Sequence, residues 1–180
     1  RRAAFRQCNL GSFAMIFATV GTQLPFDRLL LALDAYAMAR PGLQIFAQIG
    51  VTTAHLPHLQ TKSFLEKDEM DAALGDATIV VGHAGMGTIL EAAALAKPVV
   101  VMPRKASLGE HRNDHQTATV SRLSHLNCLH VVESGDALAS VLDTVSSQRA
   151  GPAAISRQAS AELVVALMYF IHGDQPQNVP

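Results

Sequence analysis

Short apolar runs alternate with stretches of helical periodicity along most of the chain. The apolar runs lie at 14–20, 43–49, 62–65, 77–82, 98–102 and 128–132. The helical patterns lie at about 26–40, 66–75, 87–97, 110–124 and 135–147. Continuous apolar runs are typical of parallel strands that helices cover on both faces. The pattern therefore predicts an α/β fold, a Rossmann-like doubly wound parallel sheet with helices on both faces.

The two ends of the chain depart from this repeating pattern. Residues 1–13 are basic at the start but lack a continuous apolar core, so we expect a leader that is flexible or not native to the domain. The α/β domain then spans 14–150, and Gly151-Pro152 separates it from 151–180, a final helix at about 155–172 with a polar tail. The apolar half of that helix predicts packing on its own domain; the alternative is that it docks on another polypeptide or lies close to a membrane surface.

Composition excludes several classes of protein. With 49% hydrophobic and 16% charged residues, the 180-residue chain can bury a core as one domain. A net charge of −1 provides no field for a nucleic-acid partner. The two cysteines form no disulfide or metal pattern, and no run reaches the roughly 20 apolar residues of a membrane helix. We therefore expect a cytoplasmic protein with no nucleic-acid partner and no direct membrane span.

Glycine-rich turns follow two of the predicted strands. The strand at 79–81 runs into Gly82, Gly85 and Gly87, which open a helix. Such a turn presents unpaired amides and the positive end of the helix dipole to an anion. The first strand ends in a second candidate loop, Gly21 to Gln23. Ligands of open α/β sheets bind at the carboxyl ends of strands, so both turns predict a phosphate site.

A lone carboxylate, Glu91, stands eight residues after His83 and three after Thr88. Thr88 and Glu91 share a helix face and can address one ligand. The simpler interpretation is a helix residue that stabilises the dipole. Because its neighbours are apolar up to Lys97, we favour a specific role, acceptance of hydrogen bonds from both ribose hydroxyls.

A dense polar loop follows the strand at 98–102. It holds the cations Arg104 and Lys105, then Glu110, His111, Asn113, Asp114, His115 and Gln116. This set predicts contacts with a sugar or a phosphate; a solvated helix face is the alternative. The spacing of His111 and His115 also suits a metal, but no third ligand stands out, so we expect none.

The familiar nucleotide motifs are absent. The glycines run G-x-x-G-x-G, which is the wrong order for the dinucleotide fingerprint G-x-G-x-x-G. Neither a P-loop nor a nucleophile elbow occurs in the chain. An NAD enzyme is therefore a distant alternative.

The polar block nevertheless resembles a known signature. The strings HAGMGTILE and KPVVVMPR, with the later HQ, resemble the nucleotide-sugar signature of GT-B glycosyltransferases. Together, IFATVGTQLPFDRLL and PRKASLGEHRNDHQ are similar to bacterial exopolysaccharide glycosyltransferases of the PssE type. Those proteins are similar to the soluble subunit of the two-part transferase that adds the second GlcNAc to dolichol-linked oligosaccharide. They are also similar, more distantly, to the C-terminal half of MurG, so the chain looks like a family 28 C-terminal, donor-binding domain.

The resemblance implies a UDP-sugar donor, inverting transfer and no metal or other cofactor. It places the diphosphate on His83, Gly85, Met86, Gly87 and Thr88, with Gly21, Thr22 and Gln23 across the cleft. It places the uracil against Phe64 and Leu65, the ribose on Glu91, the leaving charge near Arg104 or Lys105, and the sugar near Asn113, His115 and Gln116. Plant relatives carry an acid before the glutamine, where this chain has His115, so the sugar stays open.

The resemblance also implies that the chain is only half of a GT-B enzyme. The acceptor-binding half would be a membrane-associated partner that recruits this chain to the inner face of a membrane. We expect a catalytic subunit that moves the sugar to a lipid-linked or polysaccharide acceptor. His111 is the best local candidate for the base unless the partner supplies it. The alternatives are a non-catalytic UDP-sugar-binding or activating subunit and a UDP-sugar 2-epimerase, which would need a second domain.

Overall fold

The computed structural model describes residues 15–112, 115–123 and 126–147. The six strands are β1 (Met15–Thr19), β2 (Gln44–Gln48), β3 (Gln60–Lys62), β4 (Ile79–His83), β5 (Val99–Met102) and β6 (Leu129–Val131). The described residues also form the α-helices α1 (Asp27–Met38), α2 (Lys67–Asp76), α3 (Met86–Ala94), α4 (His115–Leu123) and α5 (Gly135–Ser147). The predicted leader 1–13 and the segment 151–180 lie outside the described residues, so those predictions stay open.

All strand pairs are parallel, and the sheet order is β3-β2-β1-β4-β5-β6. β1 pairs with β2 on one side and with β4 on the other, so Thr19 lies between Gln48 and Gly82. Strands β1, β2 and β3 follow one another toward one edge of the sheet, and β4, β5 and β6 follow one another toward the other edge. A crevice opens at the carboxyl ends of the strands where such an order reverses, between β1 and β4.

Helices cover both faces of this sheet and bury two separate cores. On one face, α1 and α5 pack against Ile16 and Ala18 of β1. On the other face, residues of α2, α3 and α4 pack against Phe17 of β1 and Val80 of β4. Because side chains alternate along a strand, both faces of β1 must be apolar, which is what its sequence provides. The predicted doubly wound α/β fold is confirmed.

The third strand is not where the hydrophobic pattern placed it. It comprises Gln60–Lys62 rather than residues 62–65, and all three of its residues are exposed. β3 is an edge strand that pairs only with β2 among the described strands, so its side chains need no apolar covering. The apolar pair Phe64-Leu65 follows the strand instead of forming its end.

The helix predicted at 110–124 begins later, at His115. A short 3₁₀ turn, Ala106–Leu108, precedes it and ends at Gly109, whose φ of +69° is left-handed backbone that favours glycine. His111 therefore lies before α4, and the one-turn helical spacing of His111 and His115 does not exist. The described residues contain no group of three or more metal-ligating side chains.

Polar contacts join α1 to α5 at a distance along the chain. The Tyr36 hydroxyl donates to Asp143 Oδ1 at 2.8 Å, and the Arg40 guanidinium donates to both oxygens of the same carboxylate. The Arg40 guanidinium also lies 3.8 Å from the centre of the Tyr36 ring. None of the described helices has the length and apolar character needed to cross a bilayer.

Candidate functional site

A cleft of about 440 Å³ opens where the sheet order reverses. Its walls come from the ends of β1, β2 and β4, the first turns of α3, and the segment after β5. It is lined by Thr19, Val20, Gly21, Thr22, Gln23, Leu24, Gln48, Met70, His83, Gly85, Gly87, Thr88, Glu91, Arg104, His111 and Gln116. Eleven of the predicted site residues are in this set.

The His83 ring lies between two glycines. A Cβ added to Gly21 would stand 2.8 Å from His83 Cε1, and one added to Gly85 would stand 2.3 Å from His83 Nε2. Gly21 also has a φ of +76°, a backbone conformation that favours glycine. Gly21 and Gly85, which the sequence predicts to approach a phosphate, therefore also leave room for the His83 imidazole at the base of the cleft.

This burial keeps the imidazole neutral. The pKa of His83 is lowered to about 4, first by burial and then by the positive charge of Arg104, while a hydrogen bond with the Thr19 backbone acts in the opposite direction. His83 Nδ1 is buried with no hydrogen-bond partner among the described residues. A neutral ring can donate or accept a hydrogen bond in the cleft, but it is a weak base at pH 7.

The amino end of α3 opens into the cleft without a side-chain cap. Gly85 occupies the cap position, and its own N–H donates to the His83 carbonyl at 2.7 Å. No side chain of the described residues caps the N–H groups that follow, those of Met86, Gly87 and Thr88. Uncapped amides at a helix amino end carry the positive end of the dipole, so this turn can bind an anion. Met86 is not among the residues that line the cleft, and it packs against the core on the α2, α3 and α4 face of the sheet.

Glu91 lies one turn further along α3, on the same face as Thr88, and both line the cleft. The carboxylate is exposed rather than enclosed by its apolar sequence neighbours. Its charge contributes to the raised pKa of Lys67 on α2, but less than the hydrogen bond between Lys67 and Asp71 does. Glu91 therefore faces the cleft as a charged acceptor available to a ligand.

Arg104 and Gln116 are buried residues that line the cleft from the part of the chain after β5. The Arg104 side chain is only 2% exposed, and its guanidinium donates to four backbone carbonyls. The Gln116 side-chain oxygen accepts from the Arg104 N–H at 3.0 Å. Four of the five N–H donors of Arg104 already have backbone partners, which leaves Nε–H for any direct contact with the leaving charge predicted near this residue. Lys105, the other predicted cation, pairs with Glu133 at 2.9 Å and does not line the cleft.

Sequence reasoning missed Gln48, a buried amide at the end of β2. Its Nε2 lies 3.4 Å from both Thr19 Oγ1 and the Gly21 carbonyl, and its Oε1 accepts from the Leu65 N–H at 3.2 Å. Gln48 thus joins the glycine turn of β1 to the segment that follows β3. A signal existed in the sequence, since Gln48 is a polar residue inside an apolar run at a strand end.

Of the remaining predicted residues, some line the cleft and others do not. Phe64 is 46% exposed, and Phe64 and Leu65 do not line the cleft. The Leu65 N–H, expected to face uracil, is hydrogen-bonded to Gln48. His111 lines the cleft, whereas Asn113 and the side chain of His115 lie outside the described residues.

A family model now adds to this geometry. The model of the glycosyltransferase family 28 C-terminal domain matches residues 15–168. The chain belongs to this family. The matched region contains the whole cleft and every described strand and helix. Among curated proteins, no sequence matches significantly.

Solved structures support the same fold for this family 28 domain. The kitacinnamycin glycotransferase is 22% identical, with a TM-score of 0.59 over 82% of this chain and 39% of that chain. A UDP-glucose:anthocyanidin 3-O-glucosyltransferase solved with UDP is 14% identical, with a TM-score of 0.58 over 91% of this chain and 42% of that one. The ALG13 solution structure is 16% identical, with a TM-score of 0.55 over 75% of this chain and 86% of that one. This chain thus spans less than half the length of the first two relatives.

Substitution of Gly85 tests the packing of the His83 ring. The backbone of Gly85, with φ −84° and ψ 132°, is open to any residue, so Gly85→Ala fails only by collision with the imidazole. We expect a loss of about 1–3 kcal/mol in unfolding free energy. The matched variant Gly87→Ala adds its Cβ to open space and should be neutral or stabilising. Thermal unfolding of the two variants measures the difference, and equal melting temperatures would contradict the packing.

The neutral His83 predicts a pH dependence of stability. Its folded pKa of about 4 is below the usual value near 6.5, so its contribution is complete above pH 6.5 and lost as the pH falls toward 4. The unfolding free energy of the wild-type chain should therefore fall more between pH 7 and pH 4.5 than that of His83→Gln, which does not titrate. Chemical denaturation at several pH values measures both profiles. Parallel profiles would show that His83 titrates normally.

Proposed function

We propose that this family 28 domain is the donor-binding catalytic subunit of an inverting glycosyltransferase. It would bind a UDP-sugar and transfer the sugar to a lipid-linked or polysaccharide acceptor together with a membrane-associated partner. The observation that carries the proposal is the uncapped amino end of α3, which opens into the cleft between β1 and β4 with Glu91 one turn away.

The diphosphate is assigned to the first turn of α3. The N–H groups of Met86, Gly87 and Thr88 supply donors, and the neutral His83 ring, whose Nε2 lies closest to Gly85, lines the cleft beside them. Fixed backbone dipoles need no reorganisation as negative charge develops on the leaving UDP. Arg104 adds a positive charge behind the β1 turn. The site can therefore stabilise the leaving group with the chain's own residues.

The ribose is assigned to Glu91. One helical turn rises about 5.4 Å, a separation suited to a nucleotide whose phosphates lie at the first turn and whose ribose lies beside the second. A carboxylate accepts hydrogen bonds from two neighbouring hydroxyls at once. This assignment explains a charged residue on an otherwise apolar helix surface.

The acceptor and the base are assigned partly to another polypeptide. His83 is too weak a base at its pKa of about 4, which leaves His111 as the histidine of the described cleft best placed to accept a proton. The cleft of the described residues is open to solvent, whereas the longer structural relatives continue well beyond the matched region. A partner that closed the cleft would exclude water and hold the acceptor.

A nucleotide panel tests the proposed donor. UDP, GDP, dTDP and NAD are added separately to the chain, and the melting temperature is measured. At 100 times its dissociation constant, a ligand stabilises the fold by about 2.7 kcal/mol, so UDP should raise the melting temperature by several degrees. A larger shift with NAD or GDP would contradict the proposal, as would no shift with any of the four.

Glu91→Ala tests the ribose assignment. Loss of a hydrogen-bonding carboxylate should weaken UDP binding by about 1–3 kcal/mol, roughly five- to 150-fold in calorimetry. The effect should be smaller with 2′-deoxyuridine diphosphate, because one of the two hydroxyl partners is already missing. Unchanged affinity for UDP, or equal losses with both nucleotides, would remove Glu91 from the ribose site.

The matched control is Asp68→Ala. Asp68 is an exposed carboxylate on α2 that does not line the cleft, so this variant should bind both nucleotides like the wild-type chain. An assay of sugar transfer distinguishes a catalytic subunit from one that only binds the donor. Transfer is measured with the reconstituted pair of proteins and should be lost in His115→Ala or Gln116→Ala.

A further inference from the structure

The buried Arg104 makes more contacts with the β1–α1 loop than with its own segment. This loop comprises residues 20–26, between β1 and α1. The Arg104 guanidinium donates to the carbonyls of Val20 at 2.6 Å, Leu24 at 2.8 Å and Pro25 at 2.8 Å. Its fourth hydrogen bond, at 2.9 Å, goes to the Glu110 carbonyl in its own segment. Three contacts thus cross some 80 positions of sequence to one loop.

The accepting carbonyls enclose the part of the loop that lines the cleft. Gly21, Thr22 and Gln23 lie between Val20 and Leu24, and Thr22 and Gln23 are exposed. A short exposed segment cannot fix its own position by packing. Arg104 fixes both of its ends, because one guanidinium nitrogen, Nη2, holds Val20 and Leu24 together.

Other residues hold Arg104 from behind. The centre of the Phe26 ring lies 4.6 Å from the guanidinium carbon of Arg104. The Gln116 side-chain oxygen accepts a hydrogen bond from the backbone N–H of Arg104. Glu110 is held in turn by Arg28, which donates to both of its carboxylate oxygens at 2.8 Å. The guanidinium is therefore pre-positioned without a ligand. A planar fork of five donors suits this arrangement, whereas a lysine would offer three donors on one atom.

We propose that Arg104 is a positioning residue for the β1–α1 loop, and that it acts on the donor through that loop rather than by touching the diphosphate. The inference rests on the proposed function, in which Gly21 to Gln23 face the diphosphate across the cleft from α3. A direct contact would have to break at least one of the four carbonyl bonds or use the single remaining donor, Nε–H.

Hydrogen exchange of the ligand-free chain tests this role. In Arg104→Lys, the hydrogen-bonded amides at the start of the loop, Val20 and Gly21, should exchange about ten-fold faster or more, because the loop loses its anchor. The amides of β1, β4 and β5 should keep their protection. UDP affinity, measured by calorimetry, should fall roughly ten-fold, in line with the loss of one to two hydrogen bonds. A residue that only touched phosphate would leave the ligand-free loop unchanged.

Arg40→Lys is the matched control. Arg40 also stacks on an aromatic ring and donates to a carbonyl and a carboxylate, but it lies between α1 and α5 and does not line the cleft. This variant should keep both the loop protection and the UDP affinity of the wild-type chain.

The outcomes separate the two proposals. Weakened UDP binding with an unchanged loop would make Arg104 a direct ligand contact and overturn the positioning role. A faster loop with unchanged UDP affinity would also overturn it. Absence of UDP binding to the wild-type chain would refute the proposed function instead, while the ligand-free exchange comparison would still decide whether Arg104 holds the loop.

A measurement on the unaltered chain covers the case in which Arg104→Lys does not fold. With ¹⁵N-arginine labelling, one guanidinium should show four slowly exchanging Nη hydrogens before any nucleotide is present. Addition of UDP should leave their chemical shifts nearly unchanged. Large shifts of these hydrogens, or their rapid exchange in the ligand-free chain, would overturn the positioning role.

Discussion

The close approach of the β1 and β4 chain ends is the constraint on which the site depends. Thr19 pairs with Gly82, and a Cβ on Gly82 would stand only 3.0 Å from the Thr19 carbonyl oxygen. Just beyond this contact, Gly21 and Gly85 enclose the His83 ring from two sides. Each glycine is therefore required because a neighbouring group occupies the space of its side chain. The same approach brings the β1 turn opposite the amino end of α3.

Charge is distributed around this contact in two different ways. The amino end of α3 leaves its partial positive charge open in the cleft, whereas Arg104 carries a full charge that is buried and shared among carbonyls. Burial lowers the pKa of Arg104, but guanidinium stays protonated in proteins. His83 stays neutral above pH 4 or so. These three groups, the α3 amino end, Arg104 and His83, therefore keep the same charge throughout the neutral pH range.

The sequence predicted the central parts of this arrangement better than its edges. Continuous apolar runs located β4 and β5 because both strands are buried on both faces, and the glycines located the turn that follows β4. β3 was misplaced because an edge strand needs no apolar residues, so Gln60–Lys62 gave no hydrophobic signal. The start of α4 was misplaced because the helical pattern extended back to residue 110, directly after Gly109, whereas the helix begins at His115. The role of Arg104 depends on carbonyls some 80 residues away, which no local pattern reveals.

A site built from backbone N–H groups and from glycines, which have no side chain, tolerates extensive change in sequence. Helix amides and tight turns need the correct chain path, and glycine is required only where another group lies within contact distance. Fold similarity at 14–22% identity is consistent with such a requirement. Backbone amides recognise phosphate in any nucleotide, however, so they cannot select the sugar. Under the proposed function, selectivity must come from side chains at the edge of the cleft, after β5 and at the start of α4, and from the protein surface that closes the open side.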